Sequence, residues 1–143
     1  MKTISIAWRS LAALFVILFM LTSCEEDKDE PAPDLATQVA GTYQYKELSY
    51  DGTTIPGEQT NLKGTIRISA VSATEVKIRL DIRLKSTNEE FMVIEASGVN
   101  VVKSGDTIDL FYDSERIAGV KGNKITLNGV DEDGVDFTIS GVK

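Results

Sequence analysis

From Glu75 to Lys85 the chain alternates without a break. Val76, Ile78, Leu80, Ile82 and Leu84 take one parity, and every residue of the other parity is charged. A period of two is the signature of a β-strand with one dry and one wet face. Leu62, Gly64, Ile66 and Ile68 repeat it, with Lys63, Thr65, Arg67 and Ser69 directed outward. Thr107–Asp113 offers Ile108, Leu110 and Tyr112, Lys124–Val130 offers Ile125 and Leu127, and Val135–Lys143 offers Val135, Phe137 and Ile139. Gly41–Tyr50 sets Tyr43 and Tyr45 on one face, and Arg116–Lys121 is short and weakly patterned. In Glu90–Val102 the period slips: Met92, Ile94 and Ala96 share a parity that Val99 and Val101 do not. A β-bulge near Gly98 accounts for the slip.

Turn residues separate these runs: Asp51-Gly52, Lys103-Ser-Gly-Asp106, Asp113-Ser114, Gly122-Asn123 and Asp131-Glu-Asp-Gly134. Such short connections join antiparallel neighbours and leave no room for crossover helices. The longest connection, Asp51–Thr60, links the first strand to the second. One helical turn is expected, Leu35–Ala40, capped by Asp34 and closed by Gly41. The reading is all-β: eight up-and-down antiparallel strands in residues 35–143, closed into a barrel or split into a β-sandwich. Closure is favoured because it removes the exposed edges.

The first 34 residues obey different rules. Lys2 and Arg9 precede an apolar run, Leu11–Leu21. As a helix the run rises about 16 Å, roughly half a bilayer core, so it suits a signal peptide and not a spanning helix. It ends in Leu21-Thr22-Ser23-Cys24, which resembles the lipobox of bacterial lipoproteins. That resemblance implies diacylglycerol on the Cys24 thiol, cleavage after residue 23 and attachment to a membrane through the lipid. Two or three acyl chains suffice for stable anchoring. Residues 24–34 then read as an extended acidic tether, with six acids, Lys28 and two prolines. Acids just after the cysteine also resemble the surface-export signal of Bacteroidota lipoproteins, which implies the outer membrane and its outer surface.

Composition narrows the chemistry. The chain has net charge −7, and loss of Lys2 and Arg9 with the signal peptide makes it −9, a balance that argues against nucleic-acid binding. It contains no histidine and one cysteine, Cys24. Ser-His-Asp, Cys-His and histidine-metal sites are thereby excluded, and no disulfide can brace the domain. No cofactor, no metal and no enzymic activity are expected. Glu95, within the apolar Met92–Ala96, is the strand acid best placed for acid–base work, against the plainer reading that it faces water. Asp131-Glu-Asp-Gly-Val-Asp136 has the alternating acids of a calcium loop but reads equally as a wet hairpin tip. Lys63, Arg67, Lys77, Arg79, Arg83 and Lys85 form an outward basic stripe, expected to pair with Glu75 and Asp81.

The helical turn before Gly41-Thr42-Tyr43 resembles the start of lipocalins and other calycins, where a Gly-x-Trp motif plugs one end of the barrel. Residues 35–143 as a whole resemble the small lipocalin-like lipoproteins of Bacteroidota. Tyr43 stands in place of the family's tryptophan, and no counterpart is visible for the late arginine that packs over it. The resemblance implies a barrel that carries a small apolar ligand. Tyr43 and Tyr45 on the first strand and Phe137 on the last are the candidate lining, since these strands are neighbours in a closed barrel and the three rings could share one end. The other reading is an interaction module, whose exterior docks a protein or polysaccharide of the envelope. The two differ in whether the interior is hollow or filled.

Overall fold

The computed structural model describes residues 33–143. The expected signal peptide, Cys24 and the tether up to residue 32 lie outside the described residues. The chain starts with one helical turn, α1 (Leu35–Val39), whose N-terminus is capped as expected: Asp34 Oδ1 accepts the Thr37 N–H at 2.8 Å. Nine strands come after it: β1 (Gly41–Tyr50), β2 (Thr53–Pro56), β3 (Leu62–Ala70), β4 (Glu75–Leu84), β5 (Glu90–Ser104), β6 (Thr107–Tyr112), β7 (Glu115–Lys121), β8 (Lys124–Val130) and β9 (Asp136–Val142). All pairings are antiparallel, and from β3 onward each strand pairs with the next. β1 pairs with β3 through Gly41–Gln44 and with β9 through Gln44–Tyr50, which closes a ring of eight strands. The sandwich alternative is thereby ruled out.

The ninth strand is a correction. β2 lies inside the Asp51–Thr60 connection, folds back on β1 from Glu47–Pro56 to Tyr50–Thr53, and leads into a single 3-10 turn, Gly57–Gln59. It is short, polar and ends in proline, so periodicity carries no trace of it. Proline is tolerated because a strand with one free side can leave its missing N–H outside the ladder. Lys85 holds the connection down, its Nζ donating to Gly57 O and Thr60 O, both at 2.8 Å.

The core tracks the alternation closely. Ile66, Ile68, Val76, Ile78, Leu80, Ile82, Ile108, Leu110, Ile125 and Ile139 are all buried on the inner face. α1 covers the end where β1 begins: Ala36 and Val39 are fully buried, and the Ala36 N–H bonds to Ala73 O in the β3–β4 turn. This end is sealed. The slip in β5 is also where expected. Val76 pairs with Val99 and Ile78 with Ala96, so Ser97 and Gly98 oppose Lys77 alone, with Gly98 at φ +75°. Gly64 marks a close approach of two strands. At φ +156° it lies so near β4 that a Cβ would run into the Asp81 carbonyl.

The bulge at Gly98 divides the barrel wall. Beyond it, Asn100–Ser104 pair with β6, whereas Glu90–Ala96 pair with β4 only. β6 turns back after Tyr112, and β7 pairs with β8 only through Ala118–Lys121. The half nearer α1 is a continuous wall. In the other half, β5 and β8 part, and a cleft opens between them.

Candidate functional site

The cleft lies between the two halves of the split wall. Met92, Ile94 and Ala96 come from β5, Tyr112 from the end of β6, and Ile117 from β7; Leu127, Gly129 and Val130 of β8 and Phe137 of β9 complete the sides. Ile78, Leu80 and Ile139 form its floor. The volume is about 360 Å³, within the range of small-molecule pockets. The polar residues on its lining are Asn128, Tyr112 and Glu95.

Ile94 is 50% exposed, Tyr112 48% and Val130 61%, although all three lie on apolar strands. Each belongs to a strand segment that lost its neighbour where the wall divides. Phe137 lies across Gly129, its direct partner in the β8–β9 ladder, and a side chain there would collide with the ring. On its other side Phe137 pairs with Tyr50, whose hydroxyl donates to Asp131 Oδ2 at 2.5 Å. That bond is the main reason the Asp131 carboxyl is held below its usual range, and it raises the Tyr50 phenol. Asp131 Oδ1 also accepts the N–H groups of Asp133 and Val135. The 131–136 segment is thus a hairpin tip organised by its first acid, with Gly134 at φ +81°.

The three aromatic residues expected to line a ligand do not share one end. Tyr43 is fully buried at the sealed end, where its hydroxyl donates to Val39 O at 2.7 Å and burial pushes its pKa up to about 12. Tyr45 points inward beside a lateral crevice with Gly57, Leu62 and Lys85, its hydroxyl 3.2 Å from Thr60 Oγ1. Phe137 alone reaches the cleft. The expectation failed on register: Tyr45 pairs with Gly141 and Phe137 with Tyr50, so the rings are separated along the β1–β9 ladder. A β-bulge at Lys46, between the pairs Tyr45–Gly141 and Glu47–Ser140, carried no glycine to announce it.

The remaining candidates fall on the outer surface, with Glu95 at the border of the cleft. Glu95 bridges Lys77 Nζ at 2.6 Å and Arg79 at 3.3 Å, and the hydrogen bond from Lys77 chiefly lowers its pKa. Arg83 pairs with Asp81 and Glu90. Of the stripe, Lys77, Arg79 and Arg83 are paired, with Glu95 and Glu90 of β5 and with Asp81 as expected, while Glu75 enters no ion pair among the described residues. Ile94, Ala96, Ile117 and Val130 went unrecognised in the sequence as lining residues. One signal was present: Phe91-Met-Val-Ile94 is apolar at both parities, unlike β3 or β4.

No protein-family model and no curated protein matches the sequence. Among solved structures, a de novo designed fluorescence-activating β-barrel is similar at 13% identity and a TM-score of 0.46, over 77% of this chain and 97% of that one.

Proposed function

We propose that this chain is a membrane-anchored lipoprotein of the bacterial envelope, non-catalytic, whose lipocalin-like barrel holds a small apolar ligand in the cleft between β5 and β8. The observation that carries the binding is the exposure of Ile94, Tyr112 and Val130 together around one apolar recess. Leaving such groups in water costs the free energy that a ligand regains by covering them. The Leu21–Cys24 motif supports the anchor, and the acidic segment after it supports the outer membrane as the destination.

Ligand binding is tested with a solvatochromic apolar dye. The chain should bind it at micromolar levels, equivalent to about −8 kcal/mol. Ala96→Trp, which fills the recess, should abolish the signal, while Thr42→Ala on the outer face of β1 should not. A dye that binds both variants alike would sink the reading. The anchor is tested with Cys24→Ala, which should no longer take up labelled fatty acid or partition into detergent.

A further inference from the structure

The cleft is bordered by two strand edges as well as by apolar side chains. The far side of Glu90–Ala96 pairs with no strand among the described residues, and neither does the β7-facing side of Asn128–Val130. Backbone N–H and C=O groups along such edges are a template for another strand. Proteins usually guard an exposed edge with lysine or proline, and Glu90-Phe-Met-Val-Ile-Glu-Ala96 contains neither. Its outward Phe91 and Val93 are exposed as well as its inward Ile94. A small ligand in the recess would leave the edge and the two outward side chains uncovered.

The charges around this opening that enter no ion pair among the described residues are acidic. Glu89 precedes β5, Asp113 and Glu115 flank the β6–β7 turn beside Tyr112, Glu132 and Asp133 come after Val130, and Asp136 pairs with Val130. None of these six exposed acids enters an ion pair among the described residues. Arg83, Arg79 and Lys77 nearby are already committed to Asp81, Glu90 and Glu95. A second copy of the chain would bring the same acids to the opening. A cationic partner would not.

We propose that the cleft receives an extended peptide segment of a partner protein, basic and with apolar residues at alternate positions, by strand addition to the free edge of β5. Its backbone continues the ladder along Glu90–Ala96. Alternate apolar side chains enter the recess lined by Ile94, Tyr112 and Phe137, and its Lys or Arg side chains meet the acidic rim. This rests on the cleft between β5 and β8 being the binding site, for which the peptide would compete with a small apolar ligand.

The test uses the chain carrying Cys24→Ala and synthetic peptides of about nine residues, which overhang by one at each end the seven of Glu90–Ala96, an edge of about 20 Å at ~3.3 Å per residue. The first alternates valine with lysine, and the second replaces lysine by glutamate. Two more are copies of the first with backbone N-methyl groups on one or the other alternate set of residues. The lysine peptide should bind and compete with the apolar dye, and the glutamate peptide should bind at least tenfold more weakly. At least one N-methylated copy should also lose tenfold or more. Binding of both methylated copies at full strength would overturn strand addition, and equal binding of the glutamate peptide would overturn the choice of a basic partner. Dye binding without peptide binding overturns this inference and leaves the ligand-binding reading intact. Absence of both, with a folded domain shown by circular dichroism, overturns the two together.

Discussion

The Lys143 ammonium lies 5.0 Å from the centre of the Tyr43 ring. It also donates to Gln38 O at 3.3 Å, so one side chain joins the residue after β9, the first strand and the end of α1. The sealed end is thus closed by a buried phenol beneath a cation. Tyr43→Phe keeps the ring and loses the bond to Val39 O, which should cost about 1 kcal/mol. Lys143→Ala loses the cation–π contact, about 0.5–1 kcal/mol. Tyr43→Ala leaves a cavity and should cost about 3–5 kcal/mol. Urea melts of the three variants check the order, and Lys143→Ala as the most damaging would contradict it.

Tyr43 also sets a pH response. Its pKa is raised to about 12 by burial, so between about pH 10 and 12 the unfolded chain loses this proton while the folded domain keeps it. The stability from keeping the phenol neutral is complete below pH 10 and is lost as pH rises through 12. Absorbance at 295 nm should show Tyr43, one of four tyrosines, ionising last and together with unfolding. At the other extreme, Glu95, Asp131, Asp106 and Glu47 are all lowered, chiefly by hydrogen bonds from Lys77, Tyr50, Lys121 and Lys124. Their contribution is present above the ordinary carboxylate range and lost as pH falls through their folded values. Thermal melts should therefore decline on both sides of neutrality.

Ile78 and Leu80 are buried mid-strand on β4, and Arg79 between them faces solvent. Truncating either apolar residue to alanine should cost about 2–5 kcal/mol. Arg79→Ala should stay within about ±0.5 kcal/mol, since its bond to Glu95 is exposed and Lys77 still holds that carboxylate. Denaturant midpoints in the reverse order would place β4 one residue out of register.

Gly64→Ala tests the close approach of β3 and β4. The new methyl group meets the Asp81 carbonyl, and the backbone angle there is one L residues rarely adopt. A loss of about 1–3 kcal/mol is expected from the strain, with the largest chemical-shift changes at Asp81 and Ile82. A neutral substitution would mean the strands can separate locally at no cost.

Most of the ring was legible because each strand buries one face, and burial leaves a period of two in the sequence. The bulge at Gly98 was legible for the same reason, since an extra residue reverses the parity of every later position on the strand. The bulge at Lys46 was not, because beyond it Leu48 and Tyr50 are too few to define a new parity. β2 was invisible because it buries almost nothing. Lys85, which looked like one more charge on an outer stripe, proved to hold the long connection through two carbonyls, and nothing in a charge pattern encodes a carbonyl's position. The cleft escaped notice because it depends on where strands stop pairing. Phe91–Ile94 signalled it only by being apolar on both faces.

The bulge at Gly98 has a consequence for how the domain opens. Beyond the bulge Val99 and Val101 are buried, Asn100 pairs with both Glu75 and Phe111, and the Val101 N–H bonds to Thr74 O, whereas the exposed stretch between Glu90 and Ala96 is paired on one side only. Local opening free energies track such differences. Hydrogen exchange should divide this single strand into a slow segment tied to global unfolding and a fast one that frays without it. An occupant of the cleft would then register as protection spreading along β5 across the bulge, with little change in the half of the barrel beneath Tyr43.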